Sequence, residues 1–218
     1  MEVVLIIPLS WNLNHDLHLL EITKANPLHP KEQALALRIS HAKRRQAFLA
    51  GRSAAHASLD AWGGPRLPIL KTPIGAPNWQ PGVIGSISHA DQWAGAVTCE
   101  AGRGIQGVGL DLESRSRQAN PQILGKIAKP EEILALGLSQ EDFGDRELAL
   151  FSLKEAVYKC LYPQVGEMFG FMEAQITCWE EGKIEIQTSE AIQKKGAAAI
   201  LQGQIIQWED LQIALVWY

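Results

Sequence analysis

GVGLDLE, residues 107–113, has the look of a short buried strand, yet it carries Asp111 and Glu113 two positions apart. Side chains alternate faces along a strand, so residues i and i+2 project together and these two carboxylates share one surface. Like charges at that spacing repel unless something positive lies between them. The residues just upstream place this stretch in a series. VIGSISH (83–89) and WAGAVTC (93–99) are strand-like, joined by Ala90, Asp91 and Gln92, and the Gly-rich turn AGRGIQG (101–107) leads into VGLDLE. Together they predict an antiparallel meander.

Working outward, the segment Pro30 to Trp62 is rich in Ala and Leu and predicts helix. Gly63, Gly64, Pro65 and Pro68 end it and open a loop that runs on through KTPIGAPNWQPG (71–82). Residues 121–138 and 145–162 also predict helix, and the tail, QITCWEEGKIEIQT then GQIIQWEDLQIALVWY, alternates as strands do. The order helix, strands, helix, strands predicts an α+β protein of two lobes. No repeat or low-complexity segment is legible.

Composition narrows the possible functions. With 218 residues, 46% of them hydrophobic, the chain can bury a substantial core. Its longest apolar runs, VVLIIPL (3–9) and ALVWY (214–218), fall well short of the roughly 20 residues needed to span a bilayer, so no stable membrane insertion is expected. The start MEVV lacks a secretory leader, and the three cysteines are odd in number and form no CxxC pair, which predicts reduced thiols in the cytoplasm. Twenty basic and 24 acidic residues leave a net charge of −4, against general nucleic-acid binding. Any anion site must be a local basic cluster.

Two helices offer candidates. In LALFSLKEAVYKC (148–160), Leu150, Leu153, Val157 and Leu161 with Ala149, Ala156 and Cys160 fill one arc, while Ser152, Glu155 and Lys159 project from the other face and Lys154 and Tyr158 lie along its edge. Taken alone, Glu155 and Lys159 read as an i, i+4 surface ion pair worth about 0.3–0.5 kcal/mol. In KRRQAFLAGRSAAH (43–56), Arg45, Arg52 and His56 share a stripe. Two guanidiniums there can grip a phosphate, although a solvated basic face is the ordinary reading. Gly51, inside an Ala-rich helix, marks a close approach by backbone or ligand.

Other motifs fail on context. Gly102, Gly104 and Gly107 satisfy GxGxxG but lead into a strand, whereas a dinucleotide fingerprint opens a helix. Ser88 and His89 are adjacent strand residues that face opposite ways, and no GxSxG elbow is present, which argues against a serine hydrolase. The histidines and cysteines show no zinc-like spacing.

Taken in order, RRQAFLAGR, PNWQPG, GSISHADQW, GVGLDLE and FSLKEAVYK resemble the Sfp-type 4'-phosphopantetheinyl transferases, and among them the enterobactin synthase component D branch. The similarity runs from about residue 40 to about 175. It implies two similar lobes, residues 1–107 and 108–218, each a small antiparallel sheet packed with helices, related by a pseudo-twofold axis, with the active site at the lobe interface. Asp111, Glu113 and Glu155 fall on the family's magnesium ligands, and three carboxylates make a hard oxygen site suited to Mg²⁺. Lys154 and Lys159 fall on lysines around the motif glutamate, and Ser88 with His89 on residues that contact coenzyme A. The implied reaction moves phosphopantetheine from coenzyme A to a serine of an apo acyl- or peptidyl-carrier protein and releases 3',5'-ADP. Glu155, directly or through a metal-bound water, accepts the serine proton; Lys159 and His89 complete the catalytic set. Arg45 and Arg52 hold the adenosine 3'-phosphate or the diphosphate. A monomer is expected. The loop IGAPNWQPG has Ala76 where the family often has a base, so Lys71 or Arg38 must substitute. A magnesium-dependent hydrolase and a non-catalytic carrier-binding module are the alternatives.

Overall fold

The segment expected to be one helix from Pro30 to Trp62 forms two, α1 (Pro30–Leu37) and α2 (Ala42–Ala61). Pro30 takes the first helical position, where its missing N–H goes unneeded. The His29 ring nitrogen accepts from Lys31 N–H (3.2 Å), and Glu32 reaches back to His29 N–H (3.1 Å). At the break the Ile39 carbonyl, left without a helical partner, accepts from the Arg45 guanidinium at 3.1 Å. These features come from a computed structural model that describes residues 2–5, 17–21, 28–116, 121–138, 144–180 and 183–218. The chain divides into two units, Met1–Gln106 and Gly107–Tyr218.

The first unit contains β1 (Glu2–Leu5), β2 (Leu17–Glu21), β3 (Leu70–Lys71), β4 (Pro77–Asn78), β5 (Val83–Ala90) and β6 (Trp93–Glu100). An antiparallel sheet runs in the order β1-β2-β6-β5, and β3 pairs with β4 by itself. Ala90 opposes Trp93, so β5 and β6 join through Asp91 and Gln92, with Asp91 at φ 46° as a tight hairpin turn requires. Helix α2 lays Ala50, Ala54, Ala55 and Leu59 against Ala94, Ala96 and Val83. Those small side chains let helix and sheet come close. A Cβ on Gly51 would lie 2.8 Å from Ile87 Cγ2, so the close approach marked by that glycine is made by β5.

The second unit contains β7 (Val108–Ser114), α3 (Leu124–Ile127), α4 (Pro130–Ala135), α5 (Asp145–Val165), β8 (Ala174–Glu180), β9 (Lys183–Thr188), α6 (Glu190–Gln193), β10 (Ile200–Trp208) and β11 (Leu211–Trp217). Its antiparallel sheet runs β7-β11-β10-β9-β8. The expected meander is therefore corrected: β7 pairs with β11, from Val108 opposite Trp217 to Ser114 opposite Leu211, and not with β6. LQIALVW is apolar on nearly every residue, a pattern that needs cover on both faces and a strand on each side. The two flanking strands are β7 and β10. The expected helix over 121–138 is broken into a 3-10 turn, α3 and α4, because Pro130 can start a helix but not continue one. Among the described residues no helix is long and apolar enough to cross a membrane; the run VVLIIPL lies partly outside them.

Although no repeat is legible in the sequence, the two units share a buried device. Glu32, in the first turn of α1, is fully buried and accepts from Ile69 N–H (2.8 Å) and from His56 Nε2 (3.0 Å). Arg52, on α2, donates to the carbonyls of Ile69 (2.8 Å) and Leu70 (3.3 Å). Glu132, in the first turn of α4, accepts from Ile176 N–H (2.8 Å) and from Lys154 Nζ (2.9 Å), and Lys154, on α5, donates to the Ala174 carbonyl. In each unit a glutamate from a Pro-initiated short helix and a cation from the long helix grip the start of a strand by its backbone.

Candidate functional site

In the first unit, positive charge collects around Phe48. The Arg52 guanidinium lies 4.8 Å from the ring centroid and the Lys71 ammonium 5.0 Å. A cleft of ≈ 610 Å³ is lined by both, by Phe48 and by Arg44 and His89. Both cations lie against the one ring, whose quadrupole attracts each of them. Burial pulls the Arg52 guanidinium down to about 10, opposed by the charge of Glu32. Burial also works against ionisation of Glu32, but its hydrogen bonds from His56 and Ile69 outweigh that and hold its carboxyl below the ordinary range. Arg52 Nε and Nη2 are taken by Ile69 and Leu70, which locks the guanidinium in the cleft wall. An anion of phosphate size and charge is what this cleft can stabilise.

The predicted residues of this half separate. His89 lies at the cleft, two residues beyond Ile87 and so on the same face of β5. Ser88 is buried and projects to the opposite face, so its side chain does not line the cleft. Arg45 donates from Nη1 to the carbonyl of Ile39, a residue of the cleft wall, and Arg44 is itself among the cleft residues. The cleft residues Arg44, Phe48 and Arg52 stand at i, i+4 and i+8 on α2, a stripe with an aromatic at its centre. Of the two expected substitutes for a base at Ala76, Lys71 is among the cleft residues, and Arg38, exposed at the end of α1, is not.

In the second unit, the face of β7 that carries Asp111 and Glu113 is the face turned to α5. A Cβ on Gly109 would lie 1.8 Å from the Ala156 carbonyl oxygen, so only glycine lets the strand approach the helix there. Two residues farther along that face, Asp111 is 4% exposed and accepts from Ser152 Oγ (2.8 Å) and from Lys159 Nζ (2.7 Å). The positive group beside the paired carboxylates is thus a lysine. Ser152, Glu155 and Lys159 stand at i, i+3 and i+7 on α5, which puts Glu155 between the two residues that hold Asp111. Long helical side chains lean toward the N-terminus, and so Lys159 reaches back to the carboxylate that Ser152 also binds. Burial pushes the Tyr158 phenol up, with Tyr162 and the Glu155 charge adding to it.

Two expectations change here. Lys154, expected to meet coenzyme A from the edge of a polar helix face, is 1% exposed and bound to Glu132 and the β8 backbone. Its role is structural, and burial lowers its pKa against the pull of Glu132. The three-acid cage of Asp111, Glu113 and Glu155 is not assembled either: among the described residues no three His, Cys, Asp or Glu side chains converge to hold a metal ion. Asp111 and Glu113, on one strand face, do fit the mode in which Mg²⁺ takes one or two carboxylates and completes its shell with waters and substrate phosphates. Ser152 is a site residue that the sequence reading left without a role; its place in the i, i+3, i+7 stripe with Glu155 and Lys159 was the available clue.

The comparisons with known proteins cover both halves. Residues 31–99 match the profile of the 4'-phosphopantetheinyl transferase N-terminal domain, and residues 107–216 match that of the 4'-phosphopantetheinyl transferase superfamily. The chain is 36% identical over 68% of its length to 4'-phosphopantetheinyl transferase PptT of Mycobacterium tuberculosis, of which the match takes in 64%, just under two thirds. It is 33% identical to 4'-phosphopantetheinyl transferase Npt of Nocardia iowensis, over 73% of this chain and 70% of that one. Enterobactin synthase component D of Escherichia coli (strain K12) is 31% identical over 79% of this chain and 82% of its own. The expected similarity to the component D branch therefore exists, but at lower identity than to the mycobacterial and Nocardia proteins.

Proposed function

This chain belongs to the 4'-phosphopantetheinyl transferase superfamily, and from that premise we propose that it moves the 4'-phosphopantetheine arm of coenzyme A onto a serine of an apo acyl- or peptidyl-carrier protein. The observation that carries the reading is the Asp111 carboxylate, held by Ser152 and Lys159 on a strand face shared with Glu113. In the proposed reaction the carrier serine oxygen attacks the phosphorus that bears the pantetheine. The bond from that phosphorus to the leaving 3',5'-ADP breaks, and the serine proton passes to Glu155. Lys159, 28% exposed, donates to the phosphoryl oxygens as their charge develops. Arg44, Arg52, Lys71 and His89 hold the phosphates of coenzyme A.

Asp111 and Glu113 are the residues that would hold Mg²⁺, which when bound offsets negative charge on the diphosphate. The same proposal takes residues 1–107 and 108–218 as two lobes, each contributing residues to the reaction. Coenzyme A as donor and three cysteines outside any disulfide support a cytoplasmic setting. Siderophore and other secondary-metabolite carriers are the proposed partners.

The test is incubation with coenzyme A and Mg²⁺, with and without an apo carrier. A mass gain of about 340 Da on the carrier supports transfer, whereas 3',5'-ADP released without the carrier would make the protein a hydrolase. Asp111→Ala and Glu155→Gln should each abolish the gain with the far-ultraviolet circular dichroism unchanged. Near-normal turnover in either variant removes that residue from the mechanism.

A further inference from the structure

Lys71 brings its charge to the cleft from a short strand, and its backbone is clamped on both sides. Ile69 N–H donates to the buried Glu32 carboxylate (2.8 Å), the Ile69 and Leu70 carbonyls accept from Arg52, and Thr72 N–H donates to the Ala76 carbonyl (2.8 Å). The strand fixes where the side chain starts. It does not fix where the charge ends up, because Lys71 is exposed and its stem is long and flexible. Among the described residues the ammonium has no carboxylate or carbonyl partner; what it meets is the Phe48 ring, 5.0 Å from the centroid.

We propose that Phe48 is a positioning residue for Lys71: its ring captures the ammonium on an otherwise unrestrained side chain and presents it, beside Arg52, to the diphosphate of a ligand. A loose lysine loses rotamer freedom when it grips an anion, and that loss is subtracted from the affinity. A ring that holds it beforehand removes part of the cost. Arg52 lies 4.8 Å from the same centroid but needs no such help, since its Nε and Nη2 are committed to the Ile69 and Leu70 carbonyls. Phe48 stands four residues before Arg52 on α2, whereas Lys71 comes from β3. The ring thus joins a cation set by the helix to one set by the strand. A leucine would occupy similar space but offers no quadrupole to the ammonium. The inference rests on the transferase reading only in its choice of ligand.

The first measurement needs no ligand. Lysines of the full chain are ¹³C-dimethylated, which keeps their charge, and the Lys71 signal, assigned by its absence in Lys71→Met, should lie upfield of the others through the ring current of Phe48. Phe48→Leu should return it to their position, and Phe48→Tyr should keep it shifted. Calorimetric titration with inorganic pyrophosphate and, separately, with coenzyme A reads the consequence. Phe48→Leu should weaken both by about two- to fivefold, the effect of an exposed cation–π contact, and Phe48→Tyr by less than about twofold. In a Lys71→Met background Phe48→Leu should change neither affinity by as much as about twofold, because the ring has no ammonium left to hold. The proposal is overturned by an unshifted Lys71 signal in the unsubstituted protein, by no saturable pyrophosphate binding, or by undiminished affinity in Phe48→Leu. A Phe48→Leu loss that persists in full without Lys71 overturns it too, since the ring would then touch the ligand directly. Absence of transfer to any carrier would instead sink the transferase reading, and the lysine signal and the pyrophosphate titration would still decide the role of Phe48.

Discussion

Arg52 and Lys154 hold matching posts in the two units. Each projects from the long helix, donates to the carbonyls at the start of a strand, and stands near a buried glutamate from a Pro-initiated helix. Their surroundings part them. Lys154 is closed in between α4, α5 and β8 with Glu132 directly on its ammonium, while the Arg52 guanidinium lines an open cleft beside Phe48, Lys71 and His89. A charge sealed against its partner can only hold the fold together, whereas one gripped from behind and open in front can also meet a ligand. Both cations are almost wholly buried, and what differs is what the charged end faces, a cleft for Arg52 and a carboxylate for Lys154.

The difference can be broken at its strongest point first. Lys154→Met should destabilise the protein by about 3–5 kcal/mol, because it leaves Glu132 charged, buried and unpaired. Chemical denaturation measures this, and the coenzyme A KM of the folded fraction should not change. A raised KM with intact stability would make Lys154 a ligand-binding group and dissolve the distinction.

Arg52→Met sharpens the other side. It should cost less stability, about 1–3 kcal/mol for the carbonyls it leaves unsatisfied. Loss of a charged hydrogen bond worth about 1.5–3 kcal/mol should raise the coenzyme A KM by roughly 10–100-fold. Steady-state kinetics with a fixed carrier separates the two effects, and an unchanged KM would leave Arg52 as structural as Lys154.

The smallest expected effect concerns acid. The folded-state pKa of Glu32 is depressed, so its ionised form stabilises the protein fully above the unfolded carboxylate range. That contribution is lost as pH falls through the lower folded value. Glu32→Gln should therefore flatten the acid limb of a stability-against-pH profile, at the cost of some stability near neutrality. An acid limb as steep as that of the unsubstituted protein would assign the sensitivity to another carboxylate.

Local spacing made much of this legible beforehand. The i, i+2 carboxylates of GVGLDLE do share one strand face, the FSLKEAVYK glutamate and lysine do share one helix stripe, and Gly51 does mark a close approach. Each follows from the 2.0 and 3.6 periodicities, which depend on nothing beyond the segment itself. Pairing and burial were not legible in the same way. Nothing local says that VGLDLES takes LQIALVW as its neighbour, roughly a hundred residues on. Nothing local says either that Lys154 turns inward to Glu132 while Lys159, five residues later, turns to Asp111. Arg44 and Arg45 are adjacent and chemically identical, and only the break after α1 left a carbonyl at Ile39 to accept from one of them.

By itself, then, the amino-acid order determined which residue types share a face, where helices must start at proline, and the family to which these motifs belong. Tertiary structure decided which charges meet each other and which meet solvent. The physical reason is that a periodic backbone sets side-chain direction within one element, whereas the energy of a charge depends on the dielectric and on partners brought from elsewhere in the chain.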